Sequence, residues 1–151
     1  MDNRLIIVLS DSGRFYLFRA DPFGFIGEFR PSLIGSFPKS GFLKDGILFI
    51  GSMGYFTIYD LSSPVLLSHT FVGGEEYQVY DMAPLNNYLF LTIDDLSLYG
   101  WDIGYGHVYD VTELTFPIKH TKFNAYHVNR IFARKEGNPY YIPWNSSTQR
   151  H

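Results

Sequence analysis

An aromatic residue followed directly by a polar residue recurs along this chain of 151 residues at an almost constant spacing. Successive pairs are 41, 42 and 43 residues apart. A fixed period of about 40 to 45 residues is typical of repeat architectures in which each repeat is one supersecondary unit. The spacing predicts a single domain, residues 1–151, of four related units at approximately 4–30, 31–72, 75–114 and 118–151. The pairs are Phe18-Arg19, Tyr59-Asp60, Trp101-Asp102 and Trp144-Asn145.

The segments that follow these pairs keep the same register. An apolar segment that reads as a strand begins 28 residues after the polar member of each of the first three pairs, at Ile47, Tyr88 and Arg130. Just before these segments stand dipeptides that we interpret as two-residue hairpin turns, since Gly, Asn and Asp tolerate the positive φ such turns require. The predicted turns are Asp45-Gly46, Asn86-Asn87 and Val128-Asn129, of which the last contains a poor turn residue.

The composition favours pleated sheet over helix. Aromatic residues make up 19% of the chain, only four alanines occur, and no segment shows a clear 3.6-residue period. Short apolar segments separated by turn residues predict four strands per unit. In this register the chain runs through three, four, four and three strands, because the first unit lacks its first strand and the last unit lacks its fourth. The predicted fold class is all-β.

These units resemble β-propeller blades of the WD-repeat kind, with a secondary similarity to LVIVD-type repeats. Trp101-Asp102 is the WD dipeptide itself, and Tyr59-Asp60 lies in YFTIYDLSSPVLLS, which is similar to the second pattern. The resemblance implies a propeller-like array of about 3.6 four-stranded blades. A rival register takes Tyr109-Asp110 as the third pair and places an insertion before it; we prefer the ungapped register, in which His107 begins a fourth strand.

An array of 3.6 blades is too short for a standard seven-bladed ring. Three arrangements are compatible with the count: a small closed ring, two chains that join as parts of a larger propeller, or an open arc that docks on another protein. The last unit has no fourth strand to cover its aromatic residues. We therefore expect Tyr140, Tyr141 and Trp144 at a seam between chains, where aromatic side chains often anchor binding.

Charge is unevenly distributed although the net charge is only −3. The segment 45–113 contains ten acidic residues and no Lys or Arg, whereas both terminal segments are rich in basic residues. Two acidic pairs fall in loops that the propeller resemblance places on one face, and they form either solvated turns or a docking surface for a basic partner. We predict a partner-binding set composed of Glu75, Glu76, Asp94 and Asp95, with Arg134 and Lys135 as a counter-charged edge.

No catalytic constellation emerges from the sequence. His107, His120 and His127 do not have the spacing of a metal site with Asp110, and adjacent carboxylates diverge too much for the two-carboxylate geometry of a glycosidase. We assign no catalytic, cofactor-binding or metal-binding residue. The leading hypothesis is a non-enzymatic interaction or assembly scaffold, and the alternative is a carbohydrate-active or carbohydrate-binding propeller with a central pocket.

Other partners can be ranked from charge and hydropathy. General nucleic-acid binding is disfavoured by the lack of a basic excess, although the C-terminal segment is a candidate for contact with a phosphate backbone through Lys119, Lys122, Arg130, Arg134 and Lys135. No signal peptide or membrane span is recognised, since the apolar run after Arg4 is only five residues long. Without cysteines there is no disulfide framework. We expect an intracellular, soluble protein that binds protein partners or itself.

Overall fold

A computed structural model describes residues 5–9, 14–20, 22–29, 38–63, 65–96, 103–126, 128–132 and 140–143. These residues form thirteen strands and no helix, and none of them belongs to an apolar helix that could cross a membrane. The strands are β1 (Leu5–Leu9), β2 (Phe15–Ala20), β3 (Phe23–Phe29), β4 (Ser40–Lys44), β5 (Ile47–Gly51), β6 (Tyr55–Asp60), β7 (Val65–Phe71), β8 (Tyr77–Leu85), β9 (Tyr88–Asp95), β10 (Ile103–Asp110), β11 (Ile118–Tyr126), β12 (Val128–Phe132) and β13 (Tyr140–Pro143).

The strands form four antiparallel sheets in chain order. Sheet 1 contains β1 to β3, sheet 2 contains β4 to β7, sheet 3 contains β8 to β11, and sheet 4 contains β12 and β13. The strand that comes first in the chain within each sheet contacts the corresponding strand of the next sheet: β1 contacts β4, β4 contacts β8, and β8 contacts β12. The sheets stand side by side without closing a ring in the part of the chain that the structure describes. The predicted all-β, propeller-like architecture is confirmed.

Two of the three predicted hairpin turns are confirmed by backbone conformation. Asp45, Gly46 and Asn86 have φ angles of 51°, 81° and 53°, as two-residue turns between antiparallel strands require. The third prediction, at Val128-Asn129, is wrong because both residues lie within β12. A β-branched residue such as Val strongly disfavours positive φ but fits an extended strand.

An irregularity in strand pairing fixes how the sheets correspond. The pairing of the third and fourth strands shifts register immediately before Tyr59 in sheet 2 and immediately before Tyr109 in sheet 3. The same shift occurs immediately before Phe18 in sheet 1. Phe18, Tyr59 and Tyr109 are therefore equivalent, and sheet 1 consists of second, third and fourth strands, as predicted.

The ungapped register of the third unit is wrong. β10 is a third strand that ends at Tyr109-Asp110, so His107 does not begin a fourth strand, and Trp101-Asp102 lies outside the described residues. The fourth strand is β11, which the ungapped register assigns to the last unit as an inner strand.

Turns at the ends of the third strands support the same alignment. The carboxylate of Asp60 accepts hydrogen bonds from the backbone and hydroxyl of Ser62, and that of Asp110 does so from Thr112. These hydrogen bonds lower the pKa of both aspartates. The residue directly after each aspartate donates its backbone N–H to a carbonyl in the turn between the first and second strands. Leu61 donates to the Gly46 carbonyl, and Val111 donates to the Asn87 carbonyl.

The main core lies between sheets 2 and 3. Phe49, Phe56 and Ile58 of sheet 2 belong to one buried cluster with residues of sheet 3, and the Phe56 ring meets the Tyr109 ring edge-on at 4.8 Å. The contributions of sheet 3 include Val79, Leu89, Leu91, Ile93 and Tyr109. We call the face of a sheet that carries Tyr109 or its equivalent the leading face, since in sheet 3 this face is packed against the preceding sheet.

A second, smaller cluster occupies the leading face of sheet 2. It consists of Leu48, Ile50 and Tyr59, which are nearly inaccessible to solvent. Alternation along β5 and β6 sends these side chains to one face and Phe49, Phe56 and Ile58 to the other. By the same equivalence, Phe18 lies on the leading face of sheet 1, which points away from sheet 2.

Candidate interaction surfaces

The leading face of sheet 1 carries an aromatic cluster that is largely uncovered. Phe18 stacks on Phe23 with ring centroids 5.7 Å apart and meets Phe25 at 5.5 Å. Phe23 is 73% exposed and Phe25 is 61% exposed, whereas Tyr59 and Tyr109, the equivalents of Phe18, are 2% and 3% exposed. Adjacent large apolar side chains in water are typical of a surface that binds another protein surface.

The outer part of the leading face shows three different contacts at equivalent positions. Each contact joins two positions. One lies on or just before the third strand, four residues before its equivalent aromatic residue. The other lies on the fourth strand, opposite the residue that is two before that aromatic. In sheet 1 the contact is an ion pair of 3.0 Å between Arg14 and Glu28. In sheet 2 Tyr55 stacks on His69 at 4.3 Å, and in sheet 3 the Lys122 Nζ lies 3.6 Å from the centre of the Tyr105 ring.

Sheet 3 has a cluster of one histidine and two lysine side chains beside this position. His107 is buried, its Nε2 lies 3.3 Å from the Nζ of Lys119, and its Nδ1 has no hydrogen-bond partner among the described residues. Burial, followed by the charges of Lys119 and Lys122, lowers the pKa of His107 to about 4. Burial and the charge of Lys122 also lower the pKa of Lys119. His107 is therefore neutral near pH 7.

The structure places the two acidic pairs of the predicted partner-binding set near each other but in different surroundings. Glu75 and Glu76 form an exposed turn before β8, and the carbonyl of Glu76 accepts a hydrogen bond of 2.7 Å from the backbone N–H of Leu96, the residue after β9. Asp94 and Asp95 are the last residues of β9 and are not part of a turn, in contrast to the expectation. Asp95 is only 7% exposed.

Asp95 is engaged with sheet 3 itself. Its Cα is paired with that of Tyr77 across β8 and β9. Burial and then the Asp95 carboxylate raise the pKa of Tyr77, with smaller contributions from Tyr105 and Glu76. Glu75 and Glu76 are therefore the exposed members of the acidic set and Asp94 is half-buried, and the binding role of the set stays a prediction.

The remaining predicted residues fall largely outside the structural description. Arg134, Lys135 and Trp144 lie beyond the described residues. Tyr140 and Tyr141 belong to β13, where their Cα atoms pair with those of Phe132 and Ile131 of β12, and their seam role also stays a prediction. No group of histidine and acidic side chains in the described ranges is arranged to hold a metal ion.

Sequence reasoning overlooked the exposed cluster on β3 and the role of His107 in the Lys119 cluster. Both follow from the register shift, which places Phe25 and Lys119 opposite the equivalent aromatic residues Phe18 and Tyr109. The detectable signal was the repeated order of acid, apolar residue and hydroxyl residue after the aromatic, as in Asp60-Leu61-Ser62 and Asp110-Val111-Thr112.

Comparisons with known proteins support the fold. No family model and no curated protein matches the chain. Among solved structures, the computationally designed propeller Ika4 superimposes with a TM-score of 0.64 at 12% identity, over 96% of this chain and 88% of Ika4. The WD-repeat protein Sqt1 of Saccharomyces cerevisiae gives a TM-score of 0.64 at 11% identity over 92% of this chain.

The designed protein Ika8 is similar at a lower level, with a TM-score of 0.51 at 11% identity over 94% of this chain. This chain spans 41% of the length of Sqt1 and 57% of that of Ika8. At these identities the likeness concerns the fold alone. The chain is therefore similar in length to Ika4 and much shorter than Sqt1 and Ika8.

Proposed function

We propose that this chain is a non-enzymatic interaction and assembly module that binds a protein surface through its incomplete terminal blades. The observation that carries the proposal is the exposure of Phe23 and Phe25 on the leading face of sheet 1, at 73% and 61%. The corresponding face of sheet 3 is packed against a preceding sheet, so the face of sheet 1 has the form of a blade surface that no sheet of the described ranges covers.

The unit structure indicates which kind of surface fits. In sheets 2 and 3 the interface joins a leading face to the opposite face of the preceding sheet, with Phe56 of one sheet against Tyr109 of the next. The best-matched occupant of sheet 1 is consequently another blade face, and a second copy of this chain is the partner we favour. Burial of two exposed phenylalanine side chains stabilises association by roughly 1.5 to 3 kcal/mol for each side chain.

Charge offers a second contribution to assembly. The middle of the chain is acidic and both ends carry an excess of basic residues, so unlike charges meet where a terminal unit of one copy lies beside the acidic middle of another. The exposed Glu75-Glu76 turn is the acidic element we propose for such a contact. This contribution weakens as salt is added, whereas the apolar contribution does not.

Light scattering over a wide range of protein concentration tests the proposal. We expect a molar mass that rises from 17.4 kDa to a multiple of it. The double variant Phe23→Ser and Phe25→Ser should weaken association at least about tenfold, because buried aromatic anchors contribute more than about 1 kcal/mol each. Phe116→Ser is a matched control, since Phe116 is 72% exposed but lies in the loop between β10 and β11.

The outcomes separate the versions of the proposal. An unchanged mass of one chain at every concentration contradicts self-association. Equal weakening by Phe116→Ser and by the double variant contradicts the assignment of the binding surface to sheet 1. Loss of association in high salt for the unaltered chain would assign the contact mainly to charge.

A further inference from the structure

We propose that the outer gap between sheets 2 and 3 binds an oxyanion, a carboxylate or phosphate group, through Lys119 and Lys122 beside His107, with Ser68 as an additional hydroxyl donor. This inference does not depend on the assembly proposed above. Its basis is a groove at the gap, a set of side chains that donate hydrogen bonds without a matching acceptor, and an unbalanced positive charge.

The groove lies between the fourth strand of sheet 2 and the loop that leads into the fourth strand of sheet 3. It has a volume of about 440 Å³ and runs along β7 from Leu66 to Thr70, with residues 115–117 as its other wall. Leu67 lines the groove and also packs against the core cluster that contains Tyr109. Lys119 pairs with Tyr109 and comes two residues after the groove wall in the chain, at the start of the same fourth strand.

Two buried polar atoms on the facing sheets lack partners among the described residues. One is the Ser68 Oγ, in a groove residue that is only 8% exposed, and the other is the His107 Nδ1. Ser68 pairs with Ile58, whose side chain belongs to the core between the sheets, so Ser68 also faces sheet 3. A buried polar group without a partner is costly and calls for an explanation by a ligand, water or ion.

The available groups act as donors. An ammonium group donates three hydrogen bonds and accepts none, so the His107 Nε2 must accept from Lys119 and the remaining ring proton must sit on Nδ1. Lys119 keeps two N–H groups for a ligand. Lys122, whose ammonium is held over the Tyr105 ring, and the Ser68 hydroxyl supply further donors. A group that accepts from several such donors at once is an oxyanion.

The charge balance points to the same ligand. The charges that act on His107 are those of Lys119 and Lys122, and the charge that acts on Lys119 is that of Lys122. In sheet 1 the position of Lys122 holds Glu28, which is paired with Arg14, and in sheet 2 it holds His69, which is bonded to Thr57. Of these three sheets, sheet 3 therefore combines two cations with a neutral imidazole, and an anion would relieve their repulsion.

Nuclear magnetic resonance of the histidine rings tests this inference in the full chain. Sodium phosphate and sodium acetate are titrated separately at pH 6, with sodium chloride at equal ionic strength as the reference. We expect a saturable shift of the His107 resonances that chloride does not produce. Saturation by phosphate alone identifies a phosphate site, by acetate alone a carboxylate site, and by both a general oxyanion site.

Phosphate should also raise the pKa of His107 from about 4, because a nearby anion favours the imidazolium form. This readout concerns the ring itself and is not produced by a change in stability alone. If neither phosphate nor acetate shifts the His107 resonances more than chloride does, the inference is wrong.

Variants assign the effect to the named side chains. Lys119→Met should weaken anion binding at least about tenfold, as expected for the loss of a charged hydrogen bond, and Ser68→Ala should weaken it about threefold. Lys44→Met is the matched control, because Lys44 is an exposed lysine at the end of β4. Circular dichroism and thermal unfolding establish that each variant is folded. Equal weakening by Lys44→Met and Lys119→Met would overturn the inference.

Discussion

Sheets 1 and 3 present the same face of the same structural unit to different surroundings. In sheet 3 the leading face is packed against sheet 2, and Tyr109 is 3% exposed. In sheet 1 the equivalent residue, Phe18, is only partly buried, and Phe25, which pairs with it, is 61% exposed. The register shift is the same in both, so the difference arises because sheet 2 covers this face in sheet 3, whereas no sheet of the described residues covers it in sheet 1.

This contrast separates what a blade contributes by itself from what its neighbour contributes. Within sheet 1, Phe18 still finds aromatic contacts with Phe23 and Phe25, so the pairing of strands organises the face without a partner. Desolvation of that face requires another surface. Stability should therefore be concentrated between sheets 2 and 3, while sheet 1 retains apolar surface available for binding.

Replacement of the equivalent aromatic residues should give the largest difference in stability loss between sheet 3 and sheet 1. Tyr109→Ala removes a buried ring from the core between sheets 2 and 3 and should lower the free energy of unfolding by about 3 to 5 kcal/mol. Phe18→Ala should cost about 1 to 2 kcal/mol in the dissociated chain, because the ring is already partly in water. Urea denaturation at low protein concentration measures both. Equal losses would contradict the view that the leading face of sheet 1 is uncovered.

Acid should act on sheet 3 through His107, whose equivalent in sheet 1 is Tyr16. The pKa of His107 is about 4 in the folded chain, compared with about 6.5 for an unfolded histidine. Because the folded state resists protonation, its stability is complete above pH 6.5 and falls as the pH decreases from 6.5 to 4. The expected loss is about 3 kcal/mol over this window.

The variant His107→Gln isolates this effect. It cannot titrate, and its side-chain oxygen can still accept from Lys119, so its stability should change less between pH 6.5 and pH 4. His69, whose pKa is also lowered by burial, remains in both proteins and cancels in the comparison. Urea denaturation in chloride buffers at several pH values provides the measurement. Parallel pH profiles for the two proteins would show that His107 does not control the acid response.

The fold was predictable because it depends on short-range signals that recur. Turn residues that tolerate positive φ, as at Asp45 and Asn86, mark the hairpins between first and second strands, and apolar segments mark the strands. The correct register was harder, because Trp101-Asp102 has the expected spacing by coincidence. The chemical signal at Asp110-Val111-Thr112, which forms the same turn as Asp60-Leu61-Ser62, is stronger than spacing because it has a physical cause.

The candidate sites were less predictable because they depend on which faces meet. The sequence shows that β3 contains both apolar residues and a charged residue. Whether Phe23 is covered, however, depends on whether another sheet packs against the leading face of sheet 1. Likewise, the association of His107 with Lys119 arises from a register shift between β10 and β11 that places Lys119 opposite Tyr109. Such shifts insert one unpaired residue and are not specified by alternation alone.

Two glycines lie on the faces of sheets 1 and 2 that are opposite to the leading faces, and replacing them compares how tightly these two faces are packed. A Cβ at Gly51 would lie 2.5 Å from the Val79 Cγ1 of sheet 3 and would also collide with the Ser40 side chain, whereas a Cβ at Gly27 in sheet 1 meets nothing within 4 Å. Gly51→Ala should thus destabilise the chain by about 1 to 3 kcal/mol. Gly27→Ala should be neutral or stabilise it by about 0.5 kcal/mol, since it restricts the unfolded chain. Similar losses in thermal unfolding would indicate that sheet 1 is packed as tightly as sheet 2.

The smallest effect is expected at the ion pair that occupies the outer contact of sheet 1. Arg14 and Glu28 are each 42% exposed in their side chains, so Arg14→Gln should lower the free energy of unfolding by no more than about 1 kcal/mol. In the dissociated chain this loss should vanish at about 1 M salt, where screening is effective over about 3 Å. Association through sheet 1 would move the pair away from solvent and reduce that screening. A loss that persists in high salt at high protein concentration, but not at low concentration, would therefore place Arg14 and Glu28 within the interface, beside the phenylalanine cluster.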